Sequence, residues 1–208
     1  GGSARQYEQD PAYRSFVLEF DARIAMTPDL LFPWFDGIYI PHGVDTDNTS
    51  NQWKPGRLLS HSPSSPKRHG TSLLRSAVEL AQRELDIEFD LIHGVSFDEC
   101  LQRKKRATLF FDRAGHELAE IYGTSTVIGW HGNSALEAAV YGIPTMSHLA
   151  SWAMEAAKQS RGKIMDESAI LNVETDAEAI RDRITWFFRL PEAKQRELSN
   201  ATRRWVEV

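Results

Sequence analysis

GWHGNSALEAAVYGIP, residues 129–144, decides how the rest of the chain is read. A glycine-containing turn runs into a short helix that a second glycine and a proline end. Gly132 gives the turn its freedom, Asn133 or Ser134 is the expected cap, and Ser134 followed three residues later by Glu137 has the spacing of a capping box. Ala135, Leu136, Ala138, Ala139 and Val140 are small and apolar, which predicts close packing on a sheet. Gly142 suits the position just past the helix end, and Pro144 prevents continuation. The N-terminus of such a helix presents backbone N–H groups and the positive end of a dipole, which suits an anion such as phosphate. It also fits an ordinary capped helix with no ligand.

Working outward, strands and helices alternate. Arg57–His61 has strand character, and 62–70 is a Ser/Pro-rich loop. Thr71 is the expected cap of a helix with Leu73, Leu74, Ala77, Val78, Ala81 and Leu85 at helical spacing. A second strand, Ile87–Ile92, ends at His93-Gly94, and Ser96 with Glu99 forms a second capping box for a helix through Arg106. Ala107–Asp112 is a third strand. Helical residues around His116–Ile121 and a β-prone patch, Thr124–Ile128, lead back to the opening stretch. Beyond it come a strand at Ile143–Ser147, a helix at Ala150–Ser160 and a mixed strand region at Ile164–Val173. A helix capped by Thr175 with Glu178 runs through Leu190, and a last helix follows Pro191. This order predicts an α/β domain built on an open, doubly wound parallel sheet, Rossmann-like in class.

Upstream, residues 1–36 read as a lead-in that opens on a Gly-Gly-Ser-Ala cloning scar. ARIAMT (22–27) and Gly37–Pro41 are short strand candidates, and Pro28-Asp29 starts a turn or helix. Thr46–Gly56 reads as a polar connector at a domain boundary. The nucleotide-binding domain is expected over 37–190, and 191–208 as a separate C-terminal helix.

Composition narrows the function. With 41% apolar and 25% charged residues this is a globular chain, and a net charge of −5 with interspersed signs argues against a nucleic-acid partner. No apolar run reaches the roughly 20 residues that cross a bilayer. One cysteine, Cys100, excludes an intrachain disulfide and any multi-cysteine metal site, which suits a reducing, cytoplasmic compartment. Neither a P-loop nor GxGxxG occurs, no HExxH pair marks a metal, and no GxSxG elbow marks a hydrolase.

Open parallel sheets bind ligands beyond the carboxyl ends of their strands. That rule selects three loops: Ser60–Gly70, with Ser62, Ser64, Lys67 and Arg68; His93–Ser96, with His93 and Gly94; and Gly129–Ser134, with Gly132, Asn133 and Ser134. Hydroxyls and cations ahead of a helix suit a diphosphate, although such charges are also common in solvated loops. Glu137, one turn into its helix, is placed either to accept from a ribose diol or to complete the capping box.

These motifs resemble the donor-binding half of GT-B glycosyltransferases, in particular the retaining group that includes glycogen synthase and sucrose synthase relatives. The matching text is IPHGVDT (40–46), LLSHSPSSPKRHGT (58–71) and GWHGNSALEAAVYGIPT (129–145), within a coverage of about residues 37–208. In that group the corresponding runs are a Pro-Asn-Gly-Val-Asp signature, a Lys-Gly loop on the phosphates and a Gly-x-x-x-x-Glu-Ala-x-x-x-Gly-x-Pro helix. The resemblance implies the GT-B C-terminal half, with Glu137 on the ribose, amides of Gly132–Ser134 on the diphosphate, and Lys67 or Arg68 neutralising it. It implies a hexosyltransferase-type enzyme that takes a nucleoside diphosphate sugar as donor substrate, with no cofactor and no metal. The chain departs from the pattern at Gly129, where the group often has a glutamate, and at His69, where it usually has lysine. The resemblance further implies an N-terminal acceptor domain, in cis or on another chain, carrying the catalytic residues and an acceptor of unknown identity. Residues 1–36 would be its remnant, the last helix would pack on it, and the isolated fragment would transfer weakly or not at all. A sugar-nucleotide 2-epimerase and a non-catalytic nucleotide-binding or assembly module are the alternatives.

Overall fold

The computed structural model describes residues 10–28, 31, 34–35, 37–114, 129–159 and 169–207. The expectations for Asp29, for His116–Ile121, for Thr124–Ile128 and for the first part of Ile164–Val173 lie outside the described residues.

Five strands form one parallel sheet: β3 (Leu58–His61), β4 (Glu88–Leu91), β5 (Leu109–Phe111), β6 (Thr145–Ser147) and β7 (Leu171–Asn172), in the order β4-β3-β5-β6-β7. The expected strands at 57–61, 87–92, 107–112 and 143–147 are present, trimmed by one or two residues at their ends, and of the mixed region at 164–173 the strand is Leu171–Asn172. Parallel strands need crossovers, and helices lie in them: α2 (Thr71–Gln82), α3 (Phe97–Lys104), α4 (Asn133–Ala139) and α5 (Ser151–Gln159); α6 (Ala177–Arg189) and α7 (Glu192–Val206) follow the last strand. Side chains alternate across the pleat at β5, where Leu109 and Phe111 join one core and Phe110 the other. The first core packs Leu59, Leu109, Phe111 and Met146 under Leu74, Ala77 and Val78 of α2 and Ile180, Ile184 and Phe187 of α6. The second packs Phe110 and Ile143 under Leu136, Ala138 and Ala139 of α4, Ala153 of α5 and Trp205 of α7. With both faces covered, the fold is the doubly wound, Rossmann-like α/β sheet that the alternation predicts.

The N-caps differ from expectation in three places. Gly70, with φ 71°, is the N-cap of α2 in place of Thr71. Asp176 caps α6 in place of Thr175, accepting from Ala179 N–H at 2.8 Å. At α4 the N-cap is Gly132 and no side chain caps it, so the expected Ser134–Glu137 box does not form. The helix starts earlier than that box requires, which puts Glu137 beyond the position that can reach back to the cap. Ser96 does cap α3, accepting from Glu99 N–H at 3.2 Å. Gly142, with φ 71°, ends α4 as expected, and the amides of Gly142 and Ile143 return to the carbonyls of Ala139 and Ala138 at 2.8 and 3.2 Å.

Ahead of the sheet, α1 (Pro11–Leu18) precedes a separate parallel pair, β1 (Ile24–Ala25) and β2 (Ile38–Tyr39). Ala25 and Tyr39 point inward, and Tyr39 meets the edge of Trp130 at 6.1 Å. The 46–56 connector is pinned rather than loose. Trp53 is buried and its indole N–H donates to Thr108 O at 2.9 Å, while Arg203 of α7 donates to Thr46 O and Thr49 O at 2.8 and 2.9 Å. Among the described residues no helix is long and apolar enough to cross a membrane.

Candidate functional site

The chain runs outward from β3 to β4 and then crosses back to β5 on the other side of β3, so the connections leaving β3 and β5 diverge. A crevice opens at such a reversal, at the carboxyl ends of the strands. The structure has a cavity of about 650 Å³ there, within the size range of small-molecule sites. Ser62, Pro63 and Ser64 after β3, Ile92–Phe97 after β4, Arg113 after β5, and Trp130–Ser134 with Glu137 at α4 line it, and Thr27 and His42 close it from the side of the β1–β2 pair.

Of the residues singled out in the sequence, Ser62, Ser64, His93, Gly94, Gly132, Asn133, Ser134 and Glu137 come together on this wall. Lys67 and Arg68 do not: both are exposed and neither lines the cavity. The cations that do are Lys104, the last residue of α3, and Arg113, which sequence reasoning missed. His69 supplies no charge in place of the family lysine. Burial, with Arg113 beside it, pushes its imidazole down to about 4, so it is neutral at pH 7. His42 is likewise lowered, by burial first and by His131 second.

Lys104 anchors a polar network across three elements. Its side chain is 1% exposed, with the ammonium 5.3 Å from the ring centre of Phe110. Nζ donates to Ser134 Oγ at 2.8 Å and is ion-paired to Glu137 Oε2. Ser134 Oγ in turn meets Ser62 Oγ at 2.8 Å. Ser134 and Glu137 are therefore joined, through a lysine from another helix rather than through a cap.

Asp112, at the end of β5, organises the turn before α4. Its Oδ2 accepts from Gly132 N–H at 2.7 Å and from Ser147 Oγ at 3.2 Å, and lies 3.4 Å from Arg113 Nε. Burial alone would raise this carboxyl, but Arg113, the Gly132 amide, His69 and His131 outweigh it and hold it below the usual carboxylate range. One expected anion donor, the Gly132 amide, is thereby committed to Asp112, which leaves those of Asn133 and Ser134. Because α4 has seven residues, about 10 Å of helix, side-chain cations outweigh its dipole as a source of positive potential.

The turn leaves no room for side chains at its glycines. A Cβ on Gly132 would stand 1.7 Å from Arg113 Nη2, and one on Gly129 would stand 2.1 Å from Ala150 Cβ and 2.6 Å from Ala150 N. Trp130 is 1% exposed and packed in the core, next to His131 at 5.2 Å, and His131 meets Trp205 edge-on at 5.1 Å. At the opposite rim Phe97 is 64% exposed, an apolar ring at the cavity edge. No group of three or more potential metal ligands occurs among the described residues.

No protein-family model matches this chain, and no curated protein matches it. Among solved structures it is similar to an S. aureus TarM mutant in complex with Fondaparinux, alpha-GlcNAc-glycerol and UDP. The TM-score is 0.65 at 12% identity, over 93% of this chain and 42% of that one. A Thermobaculum terrenum O-GlcNAc transferase mutant matches 79% of this chain and 34% of its own, at TM-score 0.41 and 12% identity. The TarM likeness identifies the fold as that of GT-B glycosyltransferases, and this chain spans 42% of the length of that structure.

Proposed function

We propose that the cavity holds a nucleoside diphosphate sugar and that, with an acceptor-binding domain in cis or on another chain, this chain is the C-terminal donor half of a retaining hexosyltransferase. The observation that carries the reading is the charge of the wall. A chain of net charge −5 directs Lys104 and Arg113 at its cavity, against the single carboxylate of Glu137 among the described lining residues. Glu137 is already paired with Lys104, and Arg113, 20% exposed beside the buried Asp112, keeps guanidinium N–H groups for an anion. The same wall offers hydroxyls at Ser62, Ser64 and Ser134, a carboxylate for a diol and, at Phe97, an aromatic face for a base.

In this reading Arg113 takes the place expected for Lys67 or Arg68. Its guanidinium and the amides of Asn133 and Ser134 stabilise the negative charge that grows on the diphosphate as the bond to the anomeric carbon breaks. The anomeric carbon then bonds to an acceptor hydroxyl oxygen held outside this chain, and the proton of that hydroxyl passes to the departing diphosphate oxygen. The UDP in the TarM complex makes uridine nucleotides the first probes to try.

Thermal shift and calorimetry with UDP, ADP, GDP and their hexose conjugates test the reading. Saturation at 100 times Kd stabilises a folded protein by about 2.7 kcal/mol, which for a domain this size raises Tm by roughly 5–10 °C. One base series is expected to give that shift, and Arg113→Ala is expected to weaken it. If none of the nucleotides shifts Tm or gives heat at millimolar concentration, the reading is wrong.

A further inference from the structure

We infer that Lys104 is a positioning residue that makes the cavity selective for ribonucleotides over 2′-deoxyribonucleotides; this rests on the nucleotide-sugar reading above. Glutamate is a long side chain, and a free one swivels to satisfy whichever donor is present. Glu137 is not free. Lys104 comes from a different helix, is 1% exposed, and has its ammonium fixed between Ser134 Oγ and Glu137 Oε2 while lying over the Phe110 ring.

The Lys104 pairing commits one carboxylate oxygen and leaves Oε1 with no bond among the described residues, on a side chain that is 28% exposed and lines the cavity. A carboxylate clamped in this way has a fixed direction for each remaining lone pair. It accepts from two adjacent hydroxyls where both are present. Where one is missing it cannot re-aim, and an acceptor that the bound ligand shields from water goes unpaired. Sites built to hydrogen-bond a hydroxyl reject the analogue lacking it for this reason, far more strongly than apolar pockets reject a lost methylene. Burial is what makes the clamp effective, since an exposed lysine would exchange its partner for water at little cost.

The test is calorimetry of the full chain with UDP, ADP and GDP and with their 2′-deoxy counterparts, read as the ratio of the two Kd values for the base that binds best. A merely structural lysine would lower both affinities together and leave the ratio alone. The wild-type chain is expected to prefer the ribonucleotide tenfold or more, and Lys104→Met to reduce the preference to threefold or less. Should Lys104→Met not fold, Ser134→Ala, which removes the hydroxyl steadying the ammonium opposite Glu137, is expected to reduce the preference at least threefold. An unchanged ratio in the folded variant overturns the inference. A wild-type chain that binds a nucleoside diphosphate without preferring ribose overturns it too, while leaving the nucleotide reading intact. A wild-type chain that binds no nucleotide removes both.

Discussion

Gly132→Ala separates the fold from the site. Gly132 has φ −105° and ψ −179°, extended backbone that any residue adopts, so alanine meets no backbone strain. Its methyl would lie 1.7 Å from Arg113 Nη2, 2.8 Å from Cζ and 3.3 Å from Nε. Non-bonded contact needs about 3.5 Å or more, so the guanidinium must withdraw by roughly 2 Å. It can do so, because Arg113 is the end of a flexible side chain and is 20% exposed. The fold loses part of the Arg113–Asp112 pair; Asp112 is fully buried but keeps the Gly132 amide and Ser147 Oγ, and Arg113 is 20% exposed, so the cost is about 1–2 kcal/mol and roughly 2–8 °C in Tm. The ligand loses a charge-assisted contact of about 1.5–3 kcal/mol, lowered by solvent access to roughly tenfold in Kd. Arg113→Ala is expected to give a similar loss, and the double variant no more than either single one, because both remove the same contact. Gly129→Ala is the contrasting control. Its methyl would meet the backbone of Ala150, which cannot withdraw, so overpacking costs about 1–3 kcal/mol and roughly 2–12 °C in Tm. Differential scanning fluorimetry and calorimetry with the best-binding nucleoside diphosphate measure all four. Wild-type affinity in Gly132→Ala beside weak binding in Arg113→Ala, or losses that add in the double variant, would refute the reasoning.

Two further outcomes follow from buried charge. Glu137→Ala leaves the Lys104 ammonium with Ser134 as its hydrogen-bond partner at a site 1% exposed. Breaking a buried pair costs about 3–5 kcal/mol, but water reaches the 28% exposed glutamate, so roughly 1.5–3 kcal/mol is expected, with Glu137→Gln milder. Equal Tm values for the two variants would show that the pair does not hold α3 to α4. Acid should destabilise the chain in two steps. His61 is fully buried, with Nδ1–H donating to Phe111 O at 3.0 Å and Nε2 accepting from Thr71 Oγ1 at 2.8 Å, and burial pushes it down to about 4. The unfolded chain therefore takes up this proton first, so stability is complete above about pH 6.5 and falls by at most roughly 3 kcal/mol as pH drops to about 4. Asp112 has a lowered folded pKa, so its contribution is present above the unfolded carboxylate value and is lost as pH falls through the folded one. Urea titrations at pH 7.5, 5.5 and 4.5 measure the first step, and His61→Asn should make it shallower, leaving the part that the likewise lowered His69 carries; an equally steep decline in that variant assigns the loss elsewhere.

The sheet was legible because its signals are local. Leu109, Phe110 and Phe111 are apolar together, as a strand covered on both faces must be, and Gly142 before Pro144 marks a helix end without reference to anything distant. Caps set by distant or competing groups were not legible. The Gly132 amide is satisfied by Asp112, 20 residues away in another element, and no spacing rule within the opening stretch announces that. At Thr175-Asp176 two adjacent residues are both good caps, and local chemistry gives no reason to prefer the second.

The cations at the site show the same division within four consecutive residues. Arg103, Lys104, Lys105 and Arg106 are four basic residues in a row, yet each successive side chain is turned by about 100° around the helix. Arg103 reaches across to Asp90, Lys105 lies 4.6 Å from the ring centre of Tyr141, and Lys104 alone of the three is buried against Glu137. Its phase is readable from spacing: Phe97, Cys100, Leu101 and Lys104 recur at the spacing of one helix face, and Phe97, Cys100 and Lys104 of that face line the cavity. Lys67 and Arg68 drew attention because they sit in a loop beside a glycine, where charge is conspicuous and sequence holds no information on direction. A cation on an apolar stripe must find a partner inside, whereas a cation in a loop has water available. That asymmetry makes Lys104 the stronger pointer to the cavity, and it converts the opening helix from a capped anion site into a wall whose glutamate is already held.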